Sequence, residues 1–195
     1  EHQVSNAVAA AAAASCALTR ASNRKADPER IARSLSQATT RSPLRMQIEE
    51  RSDGLVLVND CYNANPDSMA AALRTVGDIL TRRADSDPRT RGVAVLGDML
   101  ELGEQSAQRH RDVGGLAVGR GFDEILCIGQ YAEDLAAGAI SAGGRARVVT
   151  ADEAADAVGW SGHDVVLVKA SRGLELERVS ERILADDVHE QGDQQ

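Results

Sequence analysis

Between Leu55 and Leu184, short apolar runs alternate with longer stretches whose apolar residues recur at helical spacing. This alternation constrains the fold more than any other feature of the chain. Leu55–Val58, Val93–Leu96, Ile125–Ile128, Arg147–Val149 and Val165–Val168 have the length of strands, and most are apolar without interruption, as strands buried on both faces must be. After Pro66, the residues Met69, Ala72, Leu73, Val76, Ile79 and Leu80 form one apolar stripe at helical spacing. Further helices are expected over Gln105–Val118, Ala132–Ile140, Asp152–Val158 and Leu174–Leu184, with Arg82–Arg91 as a charged surface loop. Strands separated by helices form a parallel sheet covered on both sides, an α/β doubly wound arrangement. The first strand is the exception. Arg45–Glu50 alternates, and Asp53-Gly54 is a hairpin signal, so this segment pairs antiparallel with Leu55–Val58.

The first part of the chain has a different character. Val4–Leu18 is rich in Ala, the best helix former, and Asp27-Pro28-Glu29 is an N-cap followed by Pro in the first helical position. Two helices without a strand cannot enclose a core, and Thr39–Pro43 reads as a linker. The expected organisation is a helical remnant with linker over 1–43, an α/β domain over 44–185, and a polar, disordered tail over 186–195. The chain begins at Glu1 rather than Met and enters a helical pattern at once, so it reads as a piece of something longer.

Composition excludes several classes of function. The 22 Lys and Arg against 30 Asp and Glu give a formal charge of −8, which argues against non-specific nucleic-acid binding. Anionic ligands stay open, because helix N-termini bind them without net positive charge. Ala7–Leu18 is too short to span a bilayer and has no basic segment before it, so neither membrane insertion nor secretion is expected. Cys16, Cys61 and Cys127 are odd in number and far apart, which fits a reducing cytoplasm. The histidines His2, His110, His163 and His189 show no ligand spacing, and no metal site is expected.

Ligands of open α/β sheets bind beyond the carboxyl ends of the strands. Three polar loops lie there: Asn59-Asp60-Cys61-Tyr62-Asn63-Ala64-Asn65-Pro66-Asp67-Ser68, Gly97-Asp98-Met99-Leu100-Glu101-Leu102-Gly103-Glu104, and Lys169-Ala170-Ser171-Arg172-Gly173. Asn65 to Ser68 can be a helix cap and first turn, but that does not account for Asp60, Tyr62 and Asn63. Lys169 and Arg172 at a helix start oppose the helix dipole; a bound anion would remove the conflict, and solvated charge is the alternative. Asp98 can cap a turn, and His110, on an amphipathic helix, reads as packed or solvated. Neither GxxxxGK[ST] nor GxGxxG is present, and the only lysines are Lys25 and Lys169, so phosphoryl transfer by this chain alone has no convincing set of groups.

Taken together, Asn59–Met69, Leu96–Gly103 and Val168–Gly173 closely resemble the Mur ligase family, with matching order and spacing from Arg45 to Leu184. Within it the first motif resembles the member that adds a D-Ala-D-Ala dipeptide. His2-Gln3-Val4-Ser5-Asn6-Ala7 resembles the end of the family's central ATPase domain, with Gln3 departing from the pattern and Asn6 keeping it. The resemblance implies a Rossmann-like third domain preceded by two helices of the central one. The phosphate loop, Mg²⁺ ligands and carbamylated lysine would lie upstream, and the fragment alone would be inactive. The implied reaction uses ATP and Mg²⁺ to activate UDP-MurNAc-tripeptide as an acyl phosphate, which the amine of D-Ala-D-Ala attacks. Implied contacts to the nucleotide are Asn6, Arg45 and Asp60; Tyr62, Asn63 and Asn65 would face dipeptide and nucleotide; Lys169, Ser171 and Arg172 would hold the dipeptide carboxylate. Ala170 replaces a more usual Gly. The implied partners are these substrates and the remainder of the same polypeptide.

Two other readings compete. Another family member would add a different amino acid, against which Tyr62-Asn63-Ala64-Asn65-Pro66 argues. A receiver-type signalling domain would use Asp60, Asp98 and Lys169 as its acidic pocket and lysine, but would not open on the Asp53-Gly54 hairpin.

Overall fold

The computed structural model describes residues 2–22, 27–36 and 44–185, without the side chains of 2–7, 22, 35 and 36. The expected linker Thr39–Pro43, apart from its neighbour Leu44, and the expected tail over 186–195 fall outside the described residues. The chain divides into two compact units, Glu1–Arg41 and Ser42–Gln195. The first holds α1 (His2–Ser22) and α2 (Pro28–Ser36). The Asp27 carboxylate accepts from the backbone N–H of Glu29 at 2.9 Å and so caps α2, with Pro28 in the first helical position.

The second unit is a six-stranded sheet in the order β1-β2-β6-β3-β4-β5. Its strands are β1 (Gln47–Glu50), β2 (Val56–Asn59), β3 (Arg91–Leu96), β4 (Glu124–Cys127), β5 (Arg145–Val148) and β6 (Asp164–Lys169). Only β1 is antiparallel, paired with β2 through the Asp53-Gly54 turn. The Arg51 guanidinium bridges both Asp53 carboxylate oxygens, which holds that carboxyl below its usual range, and also donates to the Ile183 carbonyl.

Side-chain alternation along the strands divides the core in two. Val58, Ala94, Leu96, Ile125, Cys127, Val165 and Leu167 pack beneath α3 (Pro66–Ser86), α4 (Ser106–Gly119) and α5 (Ala132–Ser141). Leu57, Val93, Val95, Leu126, Val166 and Val168 face the other way, toward α6 (Ala151–Ala154) and α7 (Glu177–Ala185). The sheet is therefore covered on both faces, as the alternation requires. At the junction of α4 and α5 the backbones touch. A Cβ on Gly114 would stand 2.0 Å from the Leu135 carbonyl oxygen, and one on Gly138 would stand 1.9 Å from that of Arg111.

Three boundaries differ from expectation. The charged stretch Arg82–Arg91 is a loop only in its middle: α3 continues to Ser86, Asp87–Thr90 form a turn closed by Thr90 N–H on the Asp87 carbonyl, and Arg91 opens β3. Arg and Asp are compatible with helix, and Arg83 donates to the carbonyls of Gly54 and Gly162. The helix expected over Asp152–Val158 is the single turn α6, capped reciprocally by Thr150 and Glu153. Beyond it the N–H groups of Asp156 and Ala157 turn to carbonyls three residues back, and the Trp160 indole N–H donates to the Ala155 carbonyl. The closing helix begins at Glu177, because Glu175, at φ 49°, turns the chain between a tight turn over Arg172–Leu174 and α7.

Candidate functional site

Chain order β2, β3, β4, β5, β6 against spatial order β2-β6-β3-β4-β5 inserts the last strand between the second and third. The carboxyl end of β6 is therefore flanked by the loops that follow β2 and β3. Backbone bonds bind the three together: Asp60 N–H to Val168 O at 2.9 Å, Gly97 N–H to Lys169 O at 2.9 Å, and Ser171 N–H to Asp98 O at 3.0 Å.

Lys169 ends β6 on the α3 side of the sheet and is 1% exposed. Its ammonium donates to Asp60 Oδ2 at 2.5 Å, to the Asn63 carbonyl at 2.9 Å and to the Asp60 carbonyl at 3.5 Å. An ammonium has three donors, so this set exhausts it. Lys169 is thus a tie between β6 and the β2–α3 loop, and it does not turn toward a ligand carboxylate as the motif implied. Asp60, its side chain 14% exposed, also accepts from Met46 N–H through Oδ1 at 3.1 Å. Met46 and Leu44, both at positive φ, are the residues flanking Arg45. The exposed guanidinium of Arg45 lies 4.1 Å from the ring centroid of Tyr62, which is itself 44% exposed. This stack is a flat, cationic surface at the β1–β2 end of the edge.

The remaining expected residues separate into exposed and structural ones. Asn63 is exposed, with Oδ1 accepting from Ala64 N–H at 2.9 Å. Asn65 caps α3 in a reciprocal box with Ser68, so the bland reading of that segment holds for its side chain. Ser171 is 3% exposed, and its Oγ accepts from Leu100 N–H at 3.3 Å. Arg172 projects outward, its side chain 58% exposed, with one contact to Glu177 at 3.3 Å. Asn6 lies in α1, and its side chain is outside the described residues. The Ala170 methyl is buried and faces Gly97, where a Cβ would come within 2.7 Å of it. Gly97 makes room for the departure at Ala170, and the open edge is not narrowed.

The middle loop is held more firmly than its sequence shows. Asp98, 6% exposed, accepts from the backbone N–H of Gln130 and Tyr131 at 2.8 and 2.9 Å. Gly129, at φ 108°, passes so close that a Cβ would meet the Asp98 carboxylate at 2.4 Å. His110 is fully buried, stacked on Tyr131 with ring centroids 4.5 Å apart. Its Nε2 accepts from Met99 N–H at 2.9 Å, so Nδ1 carries the proton and donates to Ser106 O. Backbone groups of residues 98–100 are thereby held by Ser171 and His110. Burial pushes the Cys61 thiol up to about 12, aided by the charges of Glu177 and Asp60, and burial likewise pushes Cys127 up to about 12. Neither is a nucleophile near neutrality.

The fold, switch point and loop set define an α/β ligand-binding domain of the Rossmann-like type. Residues 44–172 match the family described as Mur ligase, glutamate ligase domain, and the chain belongs to the Mur ligase family. It is 34% identical over 207 residues to the UDP-N-acetylmuramoyl-tripeptide–D-alanyl-D-alanine ligase of Mycobacterium tuberculosis (strain H37Rv), covering 96% of this chain and 38% of that protein. Among solved structures, UDP-N-acetylmuramoylalanyl-D-glutamyl-2,6-diaminopimelate–D-alanyl-D-alanyl ligase from Acinetobacter baumannii superposes with a TM-score of 0.69 at 27% identity, over 95% of this chain and 37% of that one. MurF from Thermotoga maritima in complex with ADP superposes with a TM-score of 0.57 at 25% identity, over 87% and 36%. The chain spans well under half the length of these relatives. Among the described residues, no helix is long and apolar enough to cross a membrane.

Proposed function

We propose that this chain is the C-terminal part of a cytoplasmic, ATP-dependent ligase that joins D-Ala-D-Ala to UDP-MurNAc-tripeptide through an acyl phosphate. The carrying observation is the Asn59–Met69 loop, tied by Lys169 to the strand that presents Arg172, in a chain 34% identical to a ligase named for that reaction. When bound, ATP supplies the phosphoryl group that activates the tripeptide carboxylate. Mg²⁺ would be held by parts of the full-length ligase outside this chain; among the described residues no group of three or more His, Cys, Asp or Glu is placed to hold a metal ion.

The residues of this chain bind and orient. Asp60 keeps one lone pair on each carboxylate oxygen after its bonds to Lys169 and Met46, enough to accept from a ribose hydroxyl. The Arg45–Tyr62 stack offers a planar cationic face to a nucleotide, and the family resemblance suggests Asn6 as a further contact to the adenine in the full-length ligase. Tyr62 and Asn63, both exposed, line the dipeptide side. Arg172 anchors the dipeptide carboxylate with a charge-assisted pair. Lys169, Ser171 and Asn65 shape the loops from behind. Holding the dipeptide at its carboxylate end directs its amine at the acyl phosphate, and closure of the domains keeps water from that intermediate.

In the full-length ligase, Arg172→Ala should raise KM for D-Ala-D-Ala about ten- to a hundredfold, the equivalent of roughly 1.5–3 kcal/mol for a lost charge-assisted bond, with KM for ATP nearly unchanged. Asp60→Asn should weaken ATP more than dipeptide. Steady-state kinetics with each substrate varied in turn measures both. An Arg172→Ala enzyme whose dipeptide KM is unchanged returns Arg172 to the status of solvated surface charge.

A further inference from the structure

Glu177 drew no notice in the sequence, where an acidic residue opening a helix is ordinary. In the structure its side chain is only 21% exposed, Oε1 meets the Arg172 guanidinium at 3.3 Å, and the buried Oε2 has no hydrogen-bond partner. The helix dipole accounts for a carboxylate at this position. It does not account for a carboxylate turned away from water with one oxygen unmatched, an arrangement that opposes stability. The local backbone is built to permit the contact. Arg172–Leu174 form a tight turn, Glu175 reverses direction at φ 49° with its N–H on the Arg172 carbonyl at 3.1 Å, and buried Leu176 pins the start of α7. Arg172 and Glu177 are thereby brought face to face across five residues of chain.

Resting on the proposed ligase reading, we propose that Glu177 is a positioning residue for the dipeptide carboxylate. It engages one terminal nitrogen of Arg172 and leaves the rest of the guanidinium fork directed outward. A guanidinium has five donors in a rigid plane, so one edge can be held by the protein while another binds a ligand carboxylate. Released from Glu177, an arginine side chain 58% exposed would spread over its rotamers, and binding would have to freeze it again. Removing a negative charge would also strengthen attraction for a carboxylate, but the water around an arginine side chain 58% exposed keeps that gain small. The ordering effect is the larger, and it sets the expected sign.

The test is kinetics of the full-length ligase carrying Glu177→Gln, Arg172→Ala and both, with Glu177→Asp as a variant that keeps the charge and shortens the reach. Glu177→Gln should raise KM for D-Ala-D-Ala about three- to tenfold, leave kcat within about twofold and leave KM for ATP unchanged. Glu177→Asp should fall between it and the parent. Adding Glu177→Gln to Arg172→Ala should have no further effect on the dipeptide KM, because Glu177 acts only through that arginine. An unchanged or lowered dipeptide KM in Glu177→Gln, or effects that multiply in the double variant, would overturn the positioning role while leaving the Arg172 assignment intact. A dipeptide KM unmoved by Arg172→Ala would overturn the reading of the loop, and this inference with it. A fall in kcat with ATP and dipeptide KM moving together would mark Glu177 as merely structural.

Discussion

Lys169→Met should lower the stability of this chain by about 3 kcal/mol, because removing one partner of a buried ion pair leaves the other desolvated and uncompensated. For a chain of this size that is a fall in Tm of roughly 6–12 °C, read by calorimetry or circular dichroism. The lost groups are specific: one carboxylate oxygen of Asp60 and the carbonyl of Asn63 both lose their donor. Asp60→Asn and Lys169→Met together should cost less than the sum of the two, since neither charge is then stranded. The resemblance implied a different role for Lys169, holding the dipeptide carboxylate together with Ser171 and Arg172. A Tm within a degree or two of the parent would restore that reading. Full-length enzyme carrying Lys169→Met should lose affinity for ATP as well as dipeptide, because the tie shapes the loop on which Asp60 and Tyr62 stand.

Gly138→Ala should be comparably damaging for a different reason. The added methyl would stand 1.9 Å from the Arg111 carbonyl oxygen and 2.7 Å from its Cα, both rigid backbone atoms. The helices α4 and α5 must separate to admit it, loosening Val113, Ala117, Leu135 and Ala139 beneath them. Overpacking of this kind costs about 3 kcal/mol at its upper range, and here no flexible side chain can yield. Gly115→Ala is the internal control. Its nearest neighbours are 3.5 and 3.9 Å from the new methyl, and the alanine should gain up to about 1 kcal/mol in helix propensity. Equal Tm values for the two variants would show that the helices are not in backbone contact.

The alternation of apolar runs and helical stripes was enough to determine the sheet, its antiparallel first strand and the order of the helices, because burial on two faces leaves its mark residue by residue. Asp27 before Pro28, and Asn65 before Pro66, announced helix starts because capping is local chemistry. The motifs at the strand ends were also legible as a set, since ligand loops of an open sheet have a known place. What each residue of the set does was not. Lys169 and Arg172 read alike as cations three positions apart, yet one is 1% exposed and spent on Asp60 while the other faces outward. Their difference is made by the strand that carries Lys169 being inserted between β2 and β3, with its last side chain on the α3 side of the sheet. The neutral His110 beneath Met99, the close pass of Gly129 over Asp98, and the half-matched carboxylate of Glu177 likewise depend on partners eleven, thirty-one and five residues away. Periodicity records which face of an element is buried. Which atoms meet beneath it is decided only when distant segments are brought together.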